Sequence, residues 1–170
     1  MSPLPALRAP WWLPGGHAQT IWSAKLARHA PAFAPPFAPP LRWRRERWAT
    51  PDADFIEVDF LDVAARPGAA LLVLFHGLEG SSASHYAQAF AHWAQAAGVP
   101  LVVPHFRGCS GPLNLAPRAY HSGDFEEIGW ILGQLRPRSA TPLQAVGISL
   151  GGNALLRWAQ EAGEAASALV

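Results

Sequence analysis

The sequence predicts an α/β fold built around a mostly parallel β-sheet, and three observations carry that expectation. Residues 71–75 form a continuous apolar run fitting a strand buried on both faces of a parallel sheet, 100–104 read as a second buried strand, and 143–147 as a third leading into a helix. Segments of helical length and pattern separate them, at 84–97 and 122–135, with another at 150–161. Strands alternating with helices at this spacing give right-handed crossovers onto one sheet.

Upstream of these units, residues 43–49 and 55–61 read as two strands joined by Pro51-Asp52-Ala53-Asp54, a turn sequence, so a hairpin opens the domain. The second strand, Phe55-Ile56-Glu57-Val58-Asp59-Phe60-Leu61, alternates apolar and acidic residues and is expected to be half exposed. For the helix at 84–97, Ser81 or Ser82 is available as the cap and Gly98 as the stop. Ala168-Leu169-Val170 reads as the beginning of another strand. A strand cut after three residues would leave its neighbour an unpaired edge, so the chain is expected to be truncated. Residues 42–170 thus form a partial domain. Residues 1–41, rich in proline and tryptophan, are expected to be an extended arm without regular helix or central strand. Trp11, Trp12, Trp22, Phe33 and Phe37 would lay it on the domain, and a polyproline-type ligand for a partner is the alternative.

Composition narrows the function classes. Half of the 170 residues are hydrophobic and 15% are charged, with a formal net charge of +1. That balance suits a folded domain and offers no field for nucleic acid or an anionic membrane surface. Cys109 is the only cysteine, so no internal disulfide forms and a reducing, cytoplasmic setting is expected. No segment reads as a signal peptide or membrane span. Oligomeric state is not legible.

The chemistry-bearing motif is Gly147-Ile148-Ser149-Leu150-Gly151. A serine hydroxyl is a poor nucleophile until a base takes its proton and the developing oxyanion is stabilised. Gly-x-Ser-x-Gly between a strand and a helix holds the serine on a sharp, exposed corner, with glycines letting helix and strand pass closely. A glycine-rich turn with a capping serine is the plainer alternative. A phosphate loop fits less well, for want of a lysine and of Gly-x-Gly-x-x-Gly spacing. The second motif, His76-Gly77-Leu78-Glu79-Gly80, follows the first buried strand. One oxyanion donor would be the Leu150 N–H after the nucleophile; by position the other is the Leu78 N–H, with Gly77 allowing close approach. His76 is expected to hydrogen-bond the loop that shapes this hole rather than to act as the base.

These motifs, together with Phe106-Arg107-Gly108-Cys109-Ser110-Gly111, Asn114, Arg118, Tyr120-His121-Ser122-Gly123, Gly152-Asn153 and Gly15-Gly16-His17-Ala18-Gln19-Thr20, occur in an order that resembles the YheT-like branch of the α/β-hydrolase superfamily. The resemblance covers nearly the whole chain. It implies an α/β-hydrolase fold, here incomplete, and a Ser–Asp–His charge-relay system acting on small carboxylic esters, short-chain or acylglycerol, without cofactor or metal.

The same resemblance implies an acid and a histidine after the serine. Only Glu161 and Glu164 follow, in or just after the next helix, and no histidine does. The triad Asp and His are therefore expected beyond Val170. His17, His29, His85, His92, His105 and His121 all precede Ser149 and lack metal-ligand spacing. Asp124, Glu126 and Glu127 suit a helix N-terminus. Cys109 reads as a loop cysteine and Arg107 as a loop anchor. Two expectations stand side by side: a serine esterase forming an acyl-enzyme on Ser149, and a catalytically inactive fragment or pseudoenzyme without acid and base.

Overall fold

The computed structural model describes residues 9–22 and 40–170, and the chain divides into two compact units, residues 1–32 and 33–170. In the first unit a short helix, α1 (Gly16–Ile21), forms where no helix was expected. It falls in the proline-free stretch after Pro14, the one place where backbone donors are continuous. Trp12 and Trp22 meet edge to face across it, centroids 5.0 Å apart. Phe33 and Phe37 lie outside the described residues.

The second unit holds a five-stranded sheet in the order β1-β2-β4-β3-β5. The strands are β1 (Trp43–Ala49), β2 (Phe55–Leu61), β3 (Leu72–Phe75), β4 (Leu101–Pro104) and β5 (Gln144–Gly147). The expected hairpin forms, with Arg45 opposite Asp59 and Arg47 opposite Glu57. β2 runs antiparallel to β4, while β3 lies parallel to both β4 and β5. Helices α2 (His85–Ala97), α3 (Phe125–Leu135) and α4 (Leu150–Ala162) connect or follow the parallel strands.

Two-sided burial explains the uninterrupted apolar runs of β3 and β4, whereas β5, expected to be buried, is an outer strand that is only partly covered and leaves Gln144 exposed. On one face of the sheet, Val73, Phe75 and Val102 pack with Ile128, Ile131, Leu132 and Leu135 of α3 and with Ala154 and Trp158 of α4. On the other, Leu72, Leu74, Leu101 and Val103 pack against Ala87, Ala91 and Ala94 of α2. A strand whose alternate residues point to two apolar layers has no polar position. The three alanines at helical spacing bring α2 close to the sheet. β5 is the outer strand beyond β3, and Phe90, Trp93, Leu72 and Val146 form an apolar cleft beside it.

Four expectations are corrected. β2 is not half exposed: Glu57 and Asp59 are buried. Arg45 reaches across the hairpin to Asp59 at 2.6 Å and Arg47 to Glu57 at 2.6 Å, so the alternation marks a covered ionic face rather than a wet one. The cap position of α2 is Ser84, not Ser81 or Ser82. The Ser84 hydroxyl turns back to accept the Ser81 N–H, while Ser82 donates to Asp59. The helix stops at Gly98 as expected, in the left-handed conformation (φ 63°). α3 begins at Phe125 because residues 122–124 turn, with Asp124 N–H on the His121 carbonyl. Finally, Ala168-Leu169-Val170 is not a strand. A 3₁₀ segment, Gly163–Ala168, follows α4, and the Leu169 and Val170 amides bond back to the Ala166 carbonyl.

Arg107 anchors the loop after β4 to both the hairpin and α3. Its guanidinium donates to Glu127 and Asp54 at 2.8 Å and to Asp52 at 3.1 Å, with Arg107, Asp54 and Glu127 all buried. Burial works against an ionised Asp54, but hydrogen bonds from the Leu115 amide, Asn114, the Phe55 amide and Arg107 hold its carboxyl well below the usual range. Removing one partner of such a group strands the others without solvent. Arg107→Ala is expected to lower the free energy of unfolding by about 3–5 kcal/mol, read from urea denaturation of the same chain.

Candidate active site

Ser149 stands at the corner between β5 and α4 with φ 52° and ψ −115°, a backbone region that costs a non-glycine residue on the order of 1–3 kcal/mol. The surrounding packing compels it. Ile148 N–H is held by the Phe75 carbonyl at 2.9 Å, which extends the β3–β5 pairing past the end of β5. Two residues later α4 begins, and its first turn is pressed onto the end of β3. A Cβ on Gly151 would run into the Phe75 carbonyl oxygen at 2.5 Å and into the His76 carbonyl. A Cβ on Gly147 would lie 2.5–2.6 Å from Gly151 and Gly152 backbone. Only glycine fits at either place. The serine is exposed, and among the described residues its hydroxyl has no hydrogen-bond partner and does not cap α4.

The loop after β3 lies directly against this corner: a Cβ on Gly77 would be 3.4 Å from both the Ile148 carbonyl and the Ser149 Cβ. Its shape comes from buried polar groups. His76, fully buried, has Nδ1 2.8 Å from the Gly77 carbonyl, and its Nε2 is 3.0 Å from the Phe106 amide. With Nδ1–H donating and Nε2 accepting, the neutral ring is engaged at both nitrogens. Burial pushes its pKa down to about 4, the Gly77 carbonyl opposing only in part. Among the described residues, neither the Leu78 N–H nor the Leu150 N–H has a hydrogen-bond partner.

A supporting network here was not legible in the sequence. Asp59 on β2 accepts from Arg45, from Ser82 Oγ at 2.6 Å and from His105 Nε2 at 2.8 Å. Asp59, Ser82 and His105 are all buried. Burial opposes ionisation of Asp59, yet the bonds from Arg45, His105 and Ser82 hold its carboxyl well below the usual range. The network ties the loop after β3 to the ends of β2 and β4. Its only sequence signal was the acidic alternation in β2, which fits a solvent face equally well.

Of the other candidates, His29 lies outside the described residues and the rest have settings of their own. His121 Nδ1 accepts the Gly123 N–H, and His92 sits on α2. Burial pushes the Cys109 thiol up, the reverse of an activated thiolate. Glu161 pairs with Arg157 along α4, and Glu164 lies in the following 3₁₀ segment. Among the described residues no three His, Cys, Asp or Glu side chains converge as a metal centre needs. No described helix is long and apolar enough to cross a membrane.

Two outcomes follow. Gly151→Ala drives a methyl into strand backbone that cannot give way, and is expected to cost the upper end of the roughly 1–3 kcal/mol typical of overpacking, measured by urea denaturation. For pH, the unfolded state takes a proton on His76 near pH 6.5 while the folded state resists it down to about 4. Stability therefore rises with pH across that window and is lost as pH falls through it. The urea midpoint should drop between pH 6.5 and 4, and drop less steeply in His76→Gln.

No family model matches the chain. The chain is 46% identical over 141 residues to the Escherichia coli protein YheT, covering 82% of this chain and 39% of YheT. It is 28% identical over 130 residues to the phospholipase ABHD3 of Homo sapiens, covering 71% of this chain and 31% of that protein. The chain thus spans less than half the length of these relatives. Among solved structures, the esterase Est22 superposes with a TM-score of 0.55 at 18% identity, over 76% of this chain and 41% of Est22, a likeness of fold. Sequence and architecture agree: the chain belongs to the YheT-like branch of the α/β-hydrolase superfamily, whose fold it carries in part.

Proposed function

We propose that these residues carry the nucleophile and oxyanion-binding portion of a serine hydrolase acting on carboxylic esters. The observation that carries this is the corner at Ser149: an exposed hydroxyl at positive φ that, like the N–H groups of Leu78 and Leu150, has no hydrogen-bond partner among the described residues. Names borne by the relatives support it, since YheT is described as an esterase and ABHD3 as a phospholipase.

In the reaction, Ser149 Oγ attacks the ester carbonyl carbon and its proton passes to a general base. The C=O pair moves onto oxygen, and that oxyanion accepts hydrogen bonds from the Leu78 amide in the loop after β3 and the Leu150 amide at the N-terminus of α4. Collapse expels the alkoxide, which takes the proton from the base and leaves as the alcohol. Water, deprotonated by the same base, then attacks the acyl-serine and releases the carboxylic acid and free Ser149. The base and its orienting acid come from outside residues 1–170. In support, His76 is engaged at both ring nitrogens and His105 Nε2 is committed to Asp59. Small esters, short-chain or acylglycerol, are the substrate class.

The same observation favours a second reading for residues 1–170 by themselves, an inactive portion. Removing the base from a serine hydrolase costs on the order of a millionfold in kcat. A fluorophosphonate probe and p-nitrophenyl acetate test both readings, applied to the complete protein, to residues 1–170 and to Ser149→Ala in each. The complete protein should label and turn over, with its Ser149→Ala form reduced on the order of a millionfold in kcat. Residues 1–170 should show at most weak labelling. Equal turnover with and without Ser149 in the complete protein would refute the serine mechanism.

A further inference from the structure

The chain has only two tyrosines, Tyr86 and Tyr120, and both hydroxyls end on the same loop. Tyr86, in the first turn of α2, accepts the Gly77 N–H at 2.9 Å. Tyr120, in the long connection between β4 and α3, accepts the Glu79 N–H at 2.9 Å and donates to the Glu79 carboxylate at 2.9 Å. The Gly80 N–H is taken by the Gly77 carbonyl at 3.0 Å. Of four successive amides, 77 to 80, three are therefore committed inward. Of these four, the Leu78 N–H, between the two tyrosine-held amides, is the one with no partner among the described residues.

The fixings are rigid on both sides. The Tyr120 ring stacks on Phe106 with centroids 5.2 Å apart and planes within 8°. Phe106 is itself buried, and its amide is held by His76. Tyr86 enters through the space at Gly80, where any Cβ would collide with its hydroxyl. Glu79 stands at φ 51°, a conformation that a non-glycine residue holds only when its surroundings impose it. The bond from the Tyr120 hydroxyl to the Glu79 backbone and carboxylate supplies that imposition.

We infer that Tyr86 and Tyr120 are positioning residues that set the Leu78 N–H as the preorganised donor for the oxyanion. This rests on the serine-hydrolase reading and names two side chains through which that site is held. Neither touches the substrate; each acts by fixing the peptide on one side of Leu78. A donor aimed at the charge that develops in the transition state changes kcat more than ground-state binding.

The test uses the complete protein. Tyr86→Phe and Tyr120→Phe remove one oxygen each, and each is expected to lower kcat on p-nitrophenyl acetate by about 10–100-fold. KM should stay within about twofold of wild type, and affinity for an arylboronic acid, which mimics the tetrahedral state, should fall in step with kcat. Unchanged kcat in both variants, or a change confined to KM, overturns the inference. Amide hydrogen exchange on the unaltered protein needs no variant to fold: Gly77 and Glu79 should exchange at least about tenfold more slowly than Leu78. Equal protection of all three also overturns it. Ser149→Ala separates the two levels. If it abolishes turnover while both phenylalanine variants remain fully active, only the positioning role falls; if it keeps wild-type turnover, the hydrolase reading falls and this inference with it.

Discussion

The contact on which the site depends is backbone against backbone: the first turn of α4 resting on the last carbonyls of β3. Gly151 touches the Phe75 and His76 carbonyls, and Gly147 lies under Gly151 and Gly152. Because neither position has room for a Cβ, the helix comes closer to the sheet than side chains permit. That closeness turns the chain sharply enough to leave Ser149 at positive φ with its hydroxyl outside the fold. The same end of β3 continues into the loop that carries Leu78. One junction between two neighbouring parallel strands thus fixes both halves of the site, and β3 is itself held on both sides, by β4 and by β5.

Two clusters of buried charge hold the neighbouring loops. Asp59, His105 and Ser82 hold the loop after β3; Arg107, Asp54 and Glu127 hold the loop after β4. Such groups are costly to bury and costly to strand, so their value is in specifying one arrangement of loops rather than in adding stability. Glu127 shows the tension: burial pushes its carboxyl up, Arg107 draws it back, and one oxygen has no partner among the described residues.

Much of this was legible in the sequence for one physical reason. Residues 71–75 and 101–104 sit between two apolar layers, so burial erased any polar position and left runs that announce themselves, whereas 144–147 lie at the sheet edge, partly exposed, and were marked by the glycines and helix that follow. The serine corner was legible because close helix–strand approach demands glycine at two fixed places. What stayed hidden depends on partners distant along the chain. Glu57 and Asp59 looked solvent-facing because Arg45 and Arg47, which cover them, act across a hairpin. Ser84 rather than Ser81 or Ser82 holds the cap position, yet its hydroxyl accepts the Ser81 amide instead of a helix amide, a bond that no cap pattern foretells. Val170 looked like strand on composition alone, whereas the turn ending at Ala168 folds it back on Ala166. Tyr86 carried no signal and Tyr120 only a place in the family resemblance, since a hydroxyl accepting an amide proton leaves no pattern in spacing.

β5 pairs with β3 on one side and lies outermost on the other, and Ser149 follows its last residue by two. The amides and carbonyls along the outer side of β5 form a ruler whose zero mark is the corner. A polypeptide segment that adds to that side is placed along the strand in steps of one residue pair, about 6–7 Å. A side chain just past the end of such a segment arrives at a height relative to Ser149 fixed by hydrogen-bond register rather than by chance. The margin of the sheet is therefore also a coordinate system for the nucleophile, and groups delivered along it come already aligned.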